Sequence, residues 1–101
     1  MIGAHKSPRF KADLNDHALY LADHNPDVAL KFIDAVEYTV DLIATQPFMG
    51  ATRVFESVSV ELRMQPVSGF DNFLIFYQPF EKGLLAIRLL HGSRDIQAVF
   101  E

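Results

Sequence analysis

Hydrophobic positions keep one period in the first half of the chain and another in the second. Phe10, Leu14, Ala18 and Leu21 recur at helical spacing between Arg9, Lys11, Asp13 and Asp16, the mark of a helix with one apolar stripe. Ser7-Pro8 stands just before it: a hydroxyl to cap the first free N–H groups, and a proline whose missing N–H costs nothing at the first helical position. Asn25-Pro26 repeats that start signal, and Ala29, Phe32, Ile33, Val36, Val40 and Ile43 then mark a second stripe that ends before Pro47. The short break at His24-Asn25 makes the pair an antiparallel helical hairpin, followed by a loop through Pro47 and Gly50.

From Ser57 the period falls to two. Val58, Val60, Leu62 and Met64 alternate with Ser57, Ser59, Glu61, Arg63 and Gln65, which predicts a strand with one buried face. Pro66-Val67-Ser68-Gly69 predicts a turn. Phe73-Leu74-Ile75-Phe76-Tyr77 is apolar throughout and reads as a central strand; Glu81-Lys82-Gly83 predicts a second turn, and residues 84–90 a third strand. The residues before Ser7 have room for one short N-terminal strand. The expected architecture is α+β, one domain over residues 1–101: an N-terminal short strand and a helical hairpin packed on one face of a small antiparallel β-sheet.

Composition narrows the function classes. Half of the 101 residues are hydrophobic and nine are Phe, ample for one core but not for two. The absence of cysteine excludes disulfide frameworks, thiolate catalysis and Cys-based zinc sites, and it fits a reducing cytoplasm. No apolar run approaches the roughly 20 residues that span a bilayer. The opening Met-Ile-Gly-Ala-His-Lys-Ser-Pro holds no hydrophobic segment of signal-peptide length. A cytoplasmic protein without membrane contact is expected. The net charge of −4 weighs against a general nucleic-acid binder, whose affinity rests on phosphate neutralisation.

The stretch His91-Gly92-Ser93-Arg94-Asp95 gathers an imidazole, a hydroxyl, a guanidinium and a carboxylate. Residues at i, i+2 and i+4 leaving one strand do not readily form a triad, whose base must lie between nucleophile and orienter, and no G-x-S-x-G elbow accompanies them. The expectation is a strand exit with a glycine bend, Ser93 or Asp95 bonding local backbone, and Arg94 and Asp95 serving as ionic anchors for the tail. His5, His17, His24 and His91 show no ligand spacing, so no metal is expected. Asp13, Asp16, Asp27, Asp34, Glu37 and Asp41 read as a solvated helix surface. Arg63 and Arg88 have room on the sheet face away from the helices, near His91 and Arg94; the plainer expectation for them is ordinary surface salt bridges, and the functional one is a small cationic surface for RNA or for an acidic protein.

Taken in order, Ala12-Asp13-Leu14, Tyr20-Leu21-Ala22, Asn25-Pro26, Pro47-Phe48-Met49-Gly50 with Arg53, Leu62-Arg63, Pro66-Val67, the aromatic strand and finally Arg88-Leu89-Leu90-His91-Gly92-Ser93-Arg94-Asp95-Ile96 resemble the toxin subunit of type II toxin–antitoxin modules. The likeness is to the RelE/ParE superfamily, and to its ParE branch in particular, and it covers nearly the whole chain. The resemblance implies the α+β fold above and a partner, a small ParD-like antitoxin whose C-terminal segment wraps the toxin, commonly laying a helix beside the helical hairpin. Phe48 and Met49 are the antitoxin-binding candidates.

The resemblance also frames the target. ParE-like members are understood to poison DNA gyrase without nuclease chemistry, whereas RelE-like members cut messenger RNA in the ribosome. Here the tail Asp95-Ile96-Gln97-Ala98-Val99-Phe100-Glu101 contains no Tyr, His or Lys for acid–base work, and Phe100 stands near the usual place of a catalytic tyrosine. The expectation is therefore a gyrase-directed toxin with no catalytic residue, no cofactor and no sequence-specific nucleic-acid binding of its own; the ribosome-dependent endoribonuclease is the alternative. Arg53, Arg63, Arg88, His91 and Arg94 are the target-recognition candidates.

Overall fold

The computed structural model describes residues 3–100. In chain order the elements are β1 (Ala4–Lys6), α1 (Pro8–His24), α2 (Pro26–Thr45), β2 (Ala51–Arg53), β3 (Leu62–Val67), β4 (Phe70–Phe80), β5 (Gly83–His91) and α3 (Ile96–Val99). Both long helices start where the caps place them. The Ser7 hydroxyl accepts from the Phe10 N–H, and the Asn25 side chain accepts from those of Asp27 and Val28, so orphan donors of each first turn are satisfied.

The strands form one sheet in the order β1-β5-β4-β3-β2, with β4, the aromatic run, at its centre. The expected α+β architecture is present, but the sheet is mixed: β1 joins β5 in parallel, Ala4 opposite Leu84 and Lys6 opposite Ala86. Three residues without alternation carry no signal of strand sense. Here the sense follows from the ladder bonds at either end of β1, Leu84 N–H to the Gly3 carbonyl and Ser7 N–H to the Ala86 carbonyl.

Three further expectations are corrected. The strand foreseen from Ser57 begins only at Leu62, and residues 54–61 cross the sheet as a loop that leaves Val60 43% exposed; its alternation is loop packing, not a ladder. Strand β3 runs through Pro66 to Val67 before turning at Gly69, whose φ of 78° is the left-handed conformation a glycine adopts cheaply. The ladder shifts register between Pro66 and Val67, a place where a residue without an N–H is tolerated. Residues 51–53, foreseen as loop, form the edge strand β2 against β3.

Contrary to the single core expected from the length, the sheet separates two apolar clusters, one on each face. On one side Phe10, Phe32, Val36, Val40 and Ile43 of the hairpin pack on Ile75, Tyr77, Leu84, Ala86 and Leu89, with Leu14 and Leu21 partly buried against them; of the stripes read from the sequence, Ala18 and Ile33 line an open groove instead. On the other, Phe55, Leu62, Phe76 and Leu90 are covered by Val58 from the loop and by Ile96, Val99 and Phe100 from the tail. Phe100 closes that second core, with ring centroids 4.6 Å from Phe55 and 5.2 Å from Phe76. The Ser57 hydroxyl bonds the Phe100 carbonyl, joining loop to tail.

Helix α1 also replaces a strand. Beyond Lys6 the edge of β5 has no neighbouring strand, and α1 supplies the missing partners. Ser7 Oγ donates to the Ile87 carbonyl, His17 Nε2 meets the Leu89 carbonyl at 2.8 Å, and the Asp13 carboxylate accepts the Leu89 N–H at 3.0 Å. A polar residue on an otherwise apolar helix face thus satisfies backbone groups that burial leaves without water. Asp13 is buried for this reason, contrary to its expected place on a solvated surface.

Candidate functional site

The turn after β5 answers the question its residues raise. The Ser93 hydroxyl lies 2.7 Å from His91 Nδ1, and the Ser93 N–H donates to the same nitrogen at 3.1 Å. A serine–imidazole contact is therefore made, more than the spacing promised, but among the described residues the remaining parts of a triad are not with it. Asp95 caps α3 instead, accepting from the Ala98 N–H. The backbone donors that would stabilise an oxyanion are spent: Gly92 N–H on the Asn72 carbonyl, Arg94 N–H on the His91 carbonyl, Ser93 N–H on His91. The contact is a local strand-exit motif. Arg94 is exposed and makes no ion pair among the described residues, so the tail is anchored by Asp95 and the apolar core rather than by Arg94.

The arginine candidates are dispersed and form no single cationic face; Arg63 and Arg88 are held in ion pairs, the plainer of the two expectations for them. Arg88 is buried and gripped by Asp13 through two bonds of 2.7 and 3.1 Å. Arg63 is opposite Tyr77 in the ladder, on the helix-side face rather than the one away from the helices. It pairs with Glu61 at 2.6 Å and donates through Nη1 to the carbonyls of Phe48 and Gly50, both at 2.9 Å. Arg53 belongs to the opposite face, its guanidinium 5.4 Å from the Phe55 ring centroid and 5.7 Å from that of Phe76. Only His91 and Arg94 remain together, at the exit of β5.

The loop before β2 is built by Arg63 and Tyr77. The Tyr77 hydroxyl, inside the core, accepts the Gly50 N–H at 2.9 Å. Burial pushes the Tyr77 phenol above its usual range, against the opposing pull of the Gly50 bond and of Arg63. Held in this way, the loop presents Phe48 and Met49 outward, 53% and 37% exposed, with the Phe48 ring centroid 5.2 Å from the Arg63 guanidinium. An exposed aromatic ring on a backbone pinned at both neighbouring carbonyls is a preorganised contact.

Two concave surfaces flank α1. Between α1 and α2 runs an open groove of about 360 Å³ lined by Ala18, Leu19, Ala22, Ala29, Leu30 and Ile33, in which Leu19 and Leu30 are 59% and 63% exposed. Small alanines let the groove sink between the helices, and the leucines form its walls. On the sheet side of α1 lies a second pocket of about 270 Å³, lined by His17, Tyr20, Phe73, His91 and Ser93. Only His91 and Ser93 of this set stood out in the sequence. His17, Tyr20 and Phe73 come from α1 and β4, and no spacing along the chain relates them to residue 91.

Among the described residues no helix is long and apolar enough to cross a membrane, and no group of three or more potential ligands is placed to hold a metal ion. Comparison with curated proteins gives no match. Residues 5–96, nearly the whole chain, match the family model of the ParE toxin of type II toxin–antitoxin systems, parDE, and the chain belongs to that family.

Proposed function

We propose that this toxin arrests growth by binding and inhibiting DNA gyrase in the cytoplasm, without catalysis of its own, and that a cognate ParD-like antitoxin neutralises it by covering its apolar surface. The observation that carries the reading is the family match over residues 5–96. The geometry supports it. Two of the four arginine candidates are bound to carboxylates within the fold, Arg63 to Glu61 and Arg88 to Asp13, and among the described residues the Ser93–His91 contact is without an orienting acid or free oxyanion donors.

The exposed groove between α1 and α2 fits one apolar face of an amphipathic antitoxin helix, read through anchors three and four residues apart. Phe48 and Met49 extend the contact at the far end of the hairpin. The deciding experiment is a supercoiling assay with purified gyrase. Micromolar toxin is expected to abolish supercoiling, and stoichiometric antitoxin to restore it. Gyrase that works normally at that concentration, with messenger RNA cleaved on ribosomes instead, would replace this reading with the nuclease one.

A further inference from the structure

The pocket on the sheet side of α1 brings together groups that the family assignment does not use. Phe73 is flanked edge-on by both imidazoles, with centroids 5.1 Å from His17 and 5.0 Å from His91. Each ring is held by backbone through a different nitrogen. His17 Nε2 faces the Leu89 carbonyl, which only accepts, so that nitrogen carries a proton and Nδ1 is left free. His91 Nδ1 receives the Ser93 N–H, which only donates, so in the neutral ring the proton is on Nε2 and that N–H is left free. Among the described residues no buried side-chain nitrogen or oxygen lacks a partner, so both free ring nitrogens reach open space.

The lining adds the Tyr20 hydroxyl, while that of Ser93 is committed to His91 Nδ1, and among the described residues it contains no carboxylate. Arg94, exposed and in no ion pair among the described residues, follows Ser93 directly. On a chain of net charge −4, this is a local concentration of hydrogen-bond donors around an aromatic floor. Its volume suits one side chain.

We infer that this pocket receives an aspartate or glutamate side chain of the protein the toxin acts on, its methylenes against Phe73 and Tyr20 and its carboxylate on His91 Nε2–H and Arg94. The inference rests on the reading of the chain as a protein-binding toxin. The remaining wall is His17, whose other neighbours are Phe32 of α2, the Leu89 backbone of β5 and, one turn earlier on α1, Asp13, already committed to Arg88.

The test uses the full-length chain and two probes, N-acetyl-glutamate N-methylamide and its glutamine counterpart. Ring signals of His17 and His91 are expected to shift saturably with the glutamate probe, with Kd on the order of 10 mM for so small a ligand, and several-fold more weakly with glutamine. Arg94→Gln, at an exposed position that bears no core contact, is expected to weaken the glutamate probe several-fold. Equal response to both probes, or no saturation, overturns the assignment. If the glutamate probe binds as expected but gyrase is unaffected by the toxin, the choice of gyrase falls and the pocket stands; if gyrase is inhibited and the probe does not bind, the pocket falls and gyrase stands.

Discussion

Asp13 on α1 and Arg88 on β5 form a buried pair that fixes the helix to the strand, because the same carboxylate that grips the guanidinium also accepts the Leu89 N–H. A buried pair stabilises less than its Coulomb attraction implies, since both charges leave water, yet removal of one partner strands the other. Asp13→Asn keeps an acceptor for the Leu89 N–H but leaves Arg88 uncompensated, and it is expected to cost about 3–5 kcal/mol in urea unfolding. Asp13→Asn combined with Arg88→Met removes the stranded charge and is expected to recover most of that loss. A double variant as unstable as the single one would show that the stranded Arg88 charge is not what the single change costs.

The contact between Gly50 and Tyr77 tolerates no side chain. A Cβ on residue 50 would lie 2.5 Å from the Tyr77 hydroxyl oxygen and 2.8 Å from the Met64 carbonyl oxygen, and the second of these belongs to a paired strand that cannot yield. Gly50→Ala is expected to destabilise by about 1–3 kcal/mol, the range for overpacking. Tyr77→Phe leaves the Gly50 N–H without its partner, at a cost of about 1–3 kcal/mol. The double variant relieves only the clash with the hydroxyl, so it is expected to remain no more stable than Tyr77→Phe alone; thermal melts of the three variants decide the order.

Tyr77 also gives the fold an alkaline limit. Its phenol titrates higher in the folded chain than unfolded because burial disfavours the phenolate. Below about pH 10, the unfolded value, both states are protonated and no dependence arises. Above it the unfolded chain releases the proton first, so stability falls as pH rises until the folded phenol also ionises. Denaturant midpoints measured from pH 9 upward are expected to decline in the wild type and to decline less steeply in Tyr77→Phe.

How far these features can be read from sequence depends on whether they are local. The caps at Ser7 and Asn25 act within one helical turn, and both appear as expected. The aromatic run of β4 declares its central place because a strand buried on both faces is apolar at every position. Asp13 reads as surface in the sequence because its partners, Arg88 and the Leu89 N–H, lie more than seventy residues away, and helical periodicity records only the solvated or buried face, not a polar partner on it. The candidate site divides the same way. His91, Ser93 and Arg94 are contiguous and visible, whereas His17, Tyr20 and Phe73 join them only through the register of β4 with β5 and the seat of α1 on that strand's free edge.

Arg63 tests whether the loop before β2 is preorganised for the antitoxin. Phe48→Ala removes the exposed ring and, if the loop is an anchor of that interface, is expected to weaken antitoxin binding 10- to 100-fold, roughly the range for a truncated aromatic contact, with little effect on the unfolding midpoint of the free toxin. Arg63→Lys leaves Phe48 in place and keeps a positive charge. A single ammonium does not reproduce the planar group that reaches the carbonyls of Phe48 and Gly50 while facing both Glu61 and the Phe48 ring. The antitoxin must then order the loop as it binds, so Arg63→Lys is expected to lower affinity by a smaller factor than Phe48→Ala, and the two losses are expected to be less than additive because both act through the same ring. Calorimetric titration of the two single variants and the double variant with the antitoxin's C-terminal segment measures this coupling. Fully additive losses would mean that Arg63 contacts the antitoxin itself and does not act by holding Phe48.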